Sequence, residues 1–257
     1  MRLYRARPGL AVLILLAAAA GACAAAEPTE PRSKLWTLVQ RCIAHPEMTG
    51  PTDSCLLADP AKGYAILRDI RGQTQFLLVA TDRRWGIEDP RIEPADAPNY
   101  FAAAWSARGC VAAALGRPVP DGEIALAINS TAARSDGQLH IHIDRLRPGV
   151  SDALERGKSE VTLAGHRYRL RHLDTIADTN LFAALAATAS GAMGDQTIVV
   201  AGDPRGGFFV LDDHVHDGDP ASGEELQVDH PPVPLEQLAA EQKRLAGCAD
   251  PARPEGR

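Results

Sequence analysis

The sequence predicts an α+β fold, an antiparallel sheet with flanking helices. Three observations carry this. Short apolar segments come in pairs joined by turn-forming residues, and segments with helical spacing fall between those pairs. The order hairpin, helix, hairpin also occurs twice, which suggests a second, smaller α+β half, although the residues themselves do not repeat.

The elements follow in chain order. Residues 33–43 repeat apolar side chains at helical spacing and predict a helix. Residues 63–70 and 74–80 flank Arg71-Gly72-Gln73 and predict a hairpin. A proline-punctuated loop over 82–98 leads to an Ala-rich helix over about 99–115, stopped by Gly116 and Pro118. Residues 123–129 and 139–146 form the next hairpin, around a loop containing Asp136-Gly137. Further on, 161–163 and 167–171 read as strands, 181–190 as a helix, and 197–201 with 207–211 as another hairpin. The expected organisation is a leader over 1–26, a core over 33–150, a C-terminal α+β part over 151–230 packed on it, and a tail over 231–257 that is mobile beyond Cys248.

Composition narrows the function. The chain has 257 residues, enough for one sizeable core or two small ones. Its net charge of −6 offers no overall basic surface, which disfavours a nucleic-acid partner. Arg2, Arg5 and Arg7 precede an uncharged run over 8–26 centred on LAVLILL, the pattern of an export signal. Cleavage at the Ala-Cys-Ala over 22–24, lipid attachment at Cys23 and retention as a membrane anchor are all open to it. Each fate places the protein outside the cytoplasm.

Outside the leader stand Cys42, Cys55, Cys110 and Cys248, an even number suited to an oxidising compartment. Cys42 and Cys55 bracket a short Pro/Gly-rich loop, so their disulfide is expected. Cys110 and Cys248 would pair by elimination, with buried thiols as the open alternative. No cysteine spacing matches a zinc site.

The chemistry centres on QLHIHI over 138–143. A strand turns alternate side chains to opposite faces, so Gln138, His140 and His142 share one face and the aliphatic residues take the other. Adjacent imidazoles suit metal binding or phosphate chemistry, and a solvated strand face is the bland alternative. Asp144 follows on the same face, to orient a histidine or to meet water. Thr81, Asp82, Arg83 and Arg84 form either a nucleotide or head-group lining or a charged turn. The apolar hairpin over 206–211 is expected in the core. The acidic stretch over 212–219, with His214 and His216, reads as an exposed loop and is a rival divalent-cation site.

The pattern resembles the histidine-triad motif, in which a strand ending in Asn and a Gly-containing loop precede H-φ-H-φ-H-φ. Several blocks are similar to the CDP-diacylglycerol pyrophosphatase family: GYAILRD at 63–69, TDRRWGIEDP at 81–90, PNYF at 98–101, GRPVPD at 116–121 and the run over 127–148. The resemblance implies a HIT-like sheet and hydrolysis of CDP-diacylglycerol to CMP and phosphatidate. It places the nucleophile at His140 and the third triad histidine at His142. The first triad position is Gln138, which hydrogen-bonds but cannot carry charge. Asn129, Gln138 and Arg134 are the expected phosphate contacts. The implied partners are CDP-diacylglycerol and membrane lipid at the periplasmic side of the inner membrane. Neither a cofactor nor a metal is expected, and oligomeric state is left open. A metal-dependent exported phosphohydrolase and a non-catalytic exported nucleotide- or lipid-binding module are the alternatives.

Overall fold

The computed structural model describes residues 33–45, 54–189, 191–214 and 219–250, so the leader expected over 1–26 lies outside the described residues. Among them, nine strands form one antiparallel sheet, confirming the α+β class. The strands are β1 (Cys55–Asp59), β2 (Tyr64–Arg68), β3 (Phe76–Ala80), β4 (Ile124–Ile128), β5 (His140–Arg145), β6 (Glu160–Leu163), β7 (His166–Leu173), β8 (Gln196–Gly202) and β9 (Phe208–His214). The helices are α1 (Lys34–Ala44), α2 (Tyr100–Ser106), α3 (Gly109–Leu115), α4 (Val150–Arg156), α5 (Leu181–Ala186) and α6 (Leu235–Leu245).

The spatial order is β1-β2-β3-β5-β4-β8-β9-β7-β6. Inside the edge strand β1, the same four-strand arrangement occurs twice, β2-β3-β5-β4 and β6-β7-β9-β8, joined where β4 pairs with β8. A 3-10 turn enters β4 (Asp121–Glu123) and another enters β8 (Met193–Asp195). Counted from those turns, Ala127 and Val199 are equivalent, and their partners on the next strand are His142 and Leu211. Two residues back along each strand stand His140 and Phe209. The second unit therefore carries buried apolar side chains where the first carries imidazoles.

Strand alternation sorts the side chains onto two faces. Ile141, Ile143, Leu126, Val200 and Val210 point to the main core beneath α2, α3 and α5. The opposite face holds two separate apolar clusters. Leu77 and Val79 pack with Val39 of α1, while Ala125, Ala127, Phe209 and Leu211 pack with Leu154 of α4. His142 pairs with Leu77 on one side and Ala127 on the other, so the polar face of β5 runs between these clusters.

Several elements differ from the sequence reading. The helix expected over 99–115 is two helices, because Ala107 leaves helical geometry (φ −89°, ψ 1°) before α3 restarts at Gly109. Strand β1 and helix α4 are additions. The segment expected as a tail contains α6, with Leu238, Leu245 and Ala249 buried. Glu241 of α6 meets the buried Arg68 at 3.2 Å, and that guanidinium also donates to the carbonyls of Gly72, Gln73 and Gln75. Disulfides join Cys42 to Cys55 and Cys110 to Cys248, so the second pair is bonded and ties α3 to the chain beyond α6.

Candidate active site

The polar face of β5 presents His140, His142 and Asp144 in succession, all buried. The His140 and His142 rings meet edge to face with centroids 4.9 Å apart.

His140 Nδ1 lies 2.6 Å from the carbonyl oxygen of Gln138. A carbonyl only accepts, so Nδ1 bears the proton and Nε2 keeps its lone pair. Burial, and then the neighbouring His142, push the His140 pKa down to about 4, against a smaller upward pull from the Gln138 carbonyl. His140 is accordingly a neutral imidazole at physiological pH, with the electronic state a nucleophile requires.

His142 is held differently. Its Nδ1 lies 2.8 Å from Glu224 Oε1 and 2.8 Å from the amide nitrogen of Gln75, which also donates to that Glu224 oxygen at 3.2 Å. The imidazole, the amide and the carboxylate thus form one cluster. Burial alone would raise the Glu224 pKa, but the hydrogen bond and charge of His142, with Gln75 and His230, hold it at about 2. Glu224 is therefore ionised throughout the working range.

Asp144 does not meet water. It is fully buried, accepts from the Thr74 hydroxyl and the Arg145 N–H, and lies 2.9 Å from His230 Nε2. Asn129 follows the last residue of β4, and the register of the β4–β5 ladder, continued two residues, sets it level with His140. Its Oδ1 accepts from the Gly223 N–H at 2.8 Å, which turns its NH2 end away from that contact. Among the described residues that NH2 group has no hydrogen-bond partner.

Two of the expected phosphate contacts are held by other groups of the protein. Gln138 donates to the carbonyls of Ala80 (2.9 Å) and Asp82 (2.8 Å) and accepts from Arg83 at 2.6 Å. Both amide protons are used, so it ties the 80–84 turn to β5 and has no donor left for phosphate. Arg134 is paired through one guanidinium nitrogen with Glu88 at 2.5 Å. In the 81–84 turn, Arg84 pairs with Asp82, and Arg83 donates to the Gly137 carbonyl and stacks over Trp85. The acidic stretch is corrected as well. Asp212 and Asp213 lie buried in β9 instead of an exposed loop; Asp212 binds Arg169 and Arg171, and Asp213 faces His166 at 3.6 Å. Residues 215–218 lie outside the described residues. Among the described residues no three His, Cys, Asp or Glu side chains are grouped to hold a metal ion.

Gln75, Glu224 and His230 were not singled out by the sequence. Gln75 ends the turn before β3, and its place before an alternating strand was the one local sign that it shares the histidine face. Nothing near Glu224 or His230 marks them, since both reach the site through tertiary folding.

An antiparallel α+β sheet that buries a neutral imidazole beside a carboxylate-held one has the make-up of a hydrolase. Comparison with known proteins makes this specific. The chain belongs to the CDP-diacylglycerol pyrophosphatase family, whose model matches residues 30–231. It is similar to the CDP-diacylglycerol pyrophosphatase of Yersinia pestis, 36% identical over 213 residues, covering 76% of this chain and 82% of that protein.

Proposed function

We propose that this chain hydrolyses the pyrophosphate of CDP-diacylglycerol through a covalent cytidylyl group on His140. The overall reaction, CDP-diacylglycerol and water to CMP and phosphatidate, is the one its family membership indicates. The route rests on one observation: the proton of His140 is fixed on Nδ1 by the Gln138 carbonyl, which leaves Nε2 as a buried, unprotonated nucleophile.

In the first step Nε2 bonds to the cytidine-side phosphorus. The bond from that phosphorus to the bridging oxygen breaks, and phosphatidate leaves with the electron pair. In the second step a water oxygen bonds to the same phosphorus and loses its proton, and the P–N bond breaks to release CMP. Negative charge grows on the non-bridging oxygens in both steps and needs fixed donors. The NH2 of Asn129 and the His142 ring are the groups nearest in register to His140. Gln138 and Arg134 take no part in this reading, being engaged by Arg83 and Glu88.

The test is CMP release from CDP-diacylglycerol in mixed micelles. His140→Ala should lose at least about 10³-fold in kcat, as expected when a covalent nucleophile is removed. EDTA should leave the wild-type rate unchanged. Substantial turnover by His140→Ala contradicts the assignment.

An exported, membrane-facing location is part of the same proposal. It is supported by the basic leader with its apolar run and by two disulfides, which persist in oxidising compartments. Among the described residues no helix is long and apolar enough to cross a membrane. Attachment would be by the leader, as anchor or through a lipid, or by peripheral contact. Fractionation of the full chain, with and without residues 1–26, tests it: the activity should sediment with membranes, and its loss from them without the leader would assign attachment to the leader over peripheral contact.

A further inference from the structure

The segment after β9 crosses the seam where β4 pairs with β8. A Cβ at Gly223 would stand 2.8 Å from Ala127 Cβ of β4 and 3.0 Å from Val199 Cγ2 of β8, so this backbone lies directly on the sheet and leaves no room for a side chain. Thr197, buried on β8, holds it there. Its hydroxyl accepts from the Ser130 N–H at 3.1 Å and donates to the Ala221 carbonyl at 2.8 Å. One side chain thus joins the residue after Asn129 to the residue two before Gly223. Beyond the crossing, Gln227 donates to the Ala125 carbonyl at 2.9 Å and closes the other end.

We infer that the Gly223 N–H, clamped by Thr197, turns the Asn129 amide so that its NH2 donates to one particular non-bridging oxygen of the cytidine-side phosphate, and that hydrolysis therefore distinguishes the two non-bridging oxygens. Gly223 and Thr197 are positioning residues in this arrangement. The inference rests on the reading of His140 as the nucleophile.

A backbone N–H can only donate, so the Asn129 atom facing Gly223 at 2.8 Å is Oδ1, and the two ends of the amide are told apart. In the sheet, β4 lies between β8 and β5. Gly223 sits against Val199 of β8, so the Oδ1 end of the planar amide is held on the β8 side. The NH2 end turns to the β5 side, where the register sets His140. Asn129 is buried, yet among the described residues this NH2 has no partner. A buried donor without an acceptor is costly, and a phosphate oxygen at His140 would satisfy it. The two non-bridging oxygens of that phosphate point to different sides of the line of attack. A single donor fixed on the β4 side reaches one of them and not the other. Both the amide and the backbone N–H are neutral, so the contact is the same across the working pH range. The segment that fixes it comes from the unit of the sheet that lacks the histidines.

The test gives the full chain CDP-diacylglycerol in mixed micelles, with sulfur replacing one non-bridging oxygen at the cytidine-side phosphorus, as the two separate diastereomers. Sulfur accepts hydrogen bonds weakly. Wild-type kcat should differ between the diastereomers on the order of 10²-fold, the usual weight of one oxyanion donor. Asn129→Ala should lower kcat on the all-oxygen substrate by a similar factor and shrink the preference to within about threefold. Thr197→Val keeps the shape of the side chain but removes both of its hydrogen bonds. It should narrow the preference too, with kcat down at least about tenfold and KM little changed, and Thr197→Ser should restore both. A Thr197 that serves only folding would lower the rates of the two diastereomers alike, and a preference left intact in Thr197→Val overturns its positioning role. If that variant does not fold, Gly223→Ala takes its place, since the added methyl would lift the N–H from Asn129, and the same narrowing is expected. Equal wild-type rates for the two diastereomers, or a preference that survives Asn129→Ala, overturn the inference. Failure of the nucleophile reading is a separate outcome, seen as turnover by His140→Ala. An inactive His140→Ala together with an unmoved preference in Asn129→Ala sinks this inference alone.

Discussion

The Nδ1 of His140 lies 2.6 Å from the carbonyl of Gln138, two residues earlier on the same strand. That contact sets the tautomer, and burial sets the charge. The rate should therefore tolerate acid better than an exposed histidine allows. The acid limb of kcat/KM should fall at about 4, the pKa of buried His140, well below the 6.5 of an ordinary imidazole. A limb at the ordinary value would mean that water reaches His140 freely. A pH–rate profile from about pH 3.5 to 8 distinguishes the two.

The same groups make folding stability depend on pH in two windows. Between 6.5 and about 4, the unfolded chain protonates His140 and the native chain does not, so stability falls as pH falls through that window. The loss from this residue is on the order of 3 kcal/mol. Glu224 acts lower. Its native pKa of about 2 lies below its ordinary 4.5, so its stabilisation is complete above 4.5 and is lost as pH falls toward 2. Urea midpoints across pH should show both slopes, and His140→Asn should flatten the upper one.

Gln138 departs from the triad pattern, yet its amide is embedded in protein contacts. Gln138→Ala should cost about 1–3 kcal/mol, because the buried Ala80 and Asp82 carbonyls lose their donors. KM should hardly change. Gln138→His, which would put a third histidine on this face of the strand, should also lose stability without raising kcat. Urea melts together with CMP release check both.

The Cys110–Cys248 disulfide closes a loop of 138 positions and holds the segment after α6 against α3. Replacing both cysteines with serine should lower stability by about 2–4 kcal/mol. The histidine face lies on the opposite side of the sheet from Cys110, in the main core, so kcat should survive at temperatures where the variant stays folded. Thermal melts with activity measured alongside test this.

The legible parts of the fold were those in which local pattern and tertiary role agree. The alternation over 138–143 marked the strand, and burial of Ile141 and Ile143 beneath the histidine face bears it out. The repeated hairpin–helix–hairpin order matches the two sets of four strands that meet at β4 and β8. Helix α6 was hidden by the prolines and glutamates around it, although Leu238, Glu241 and Leu245 lie on one helical face against the protein. Strand β1 (CLLAD) is half-buried throughout, so no alternation of buried and exposed side chains marks it. Glu224 and His230 could not be found by any local rule. His230 meets Asp144 across 86 positions, a separation that no local pattern spans.

The stereochemical course at phosphorus bears most directly on a covalent cytidylyl-histidine. The substrate would be CDP-diacylglycerol carrying a chiral phosphorothioate at the cytidine-side phosphorus, hydrolysed in 18O-labelled water. Two successive in-line displacements, first by His140 and then by water, invert the phosphorus twice. The thio-CMP product should therefore retain configuration. Inversion would mean that water attacks directly, with His140 as at most a base, and would contradict the account.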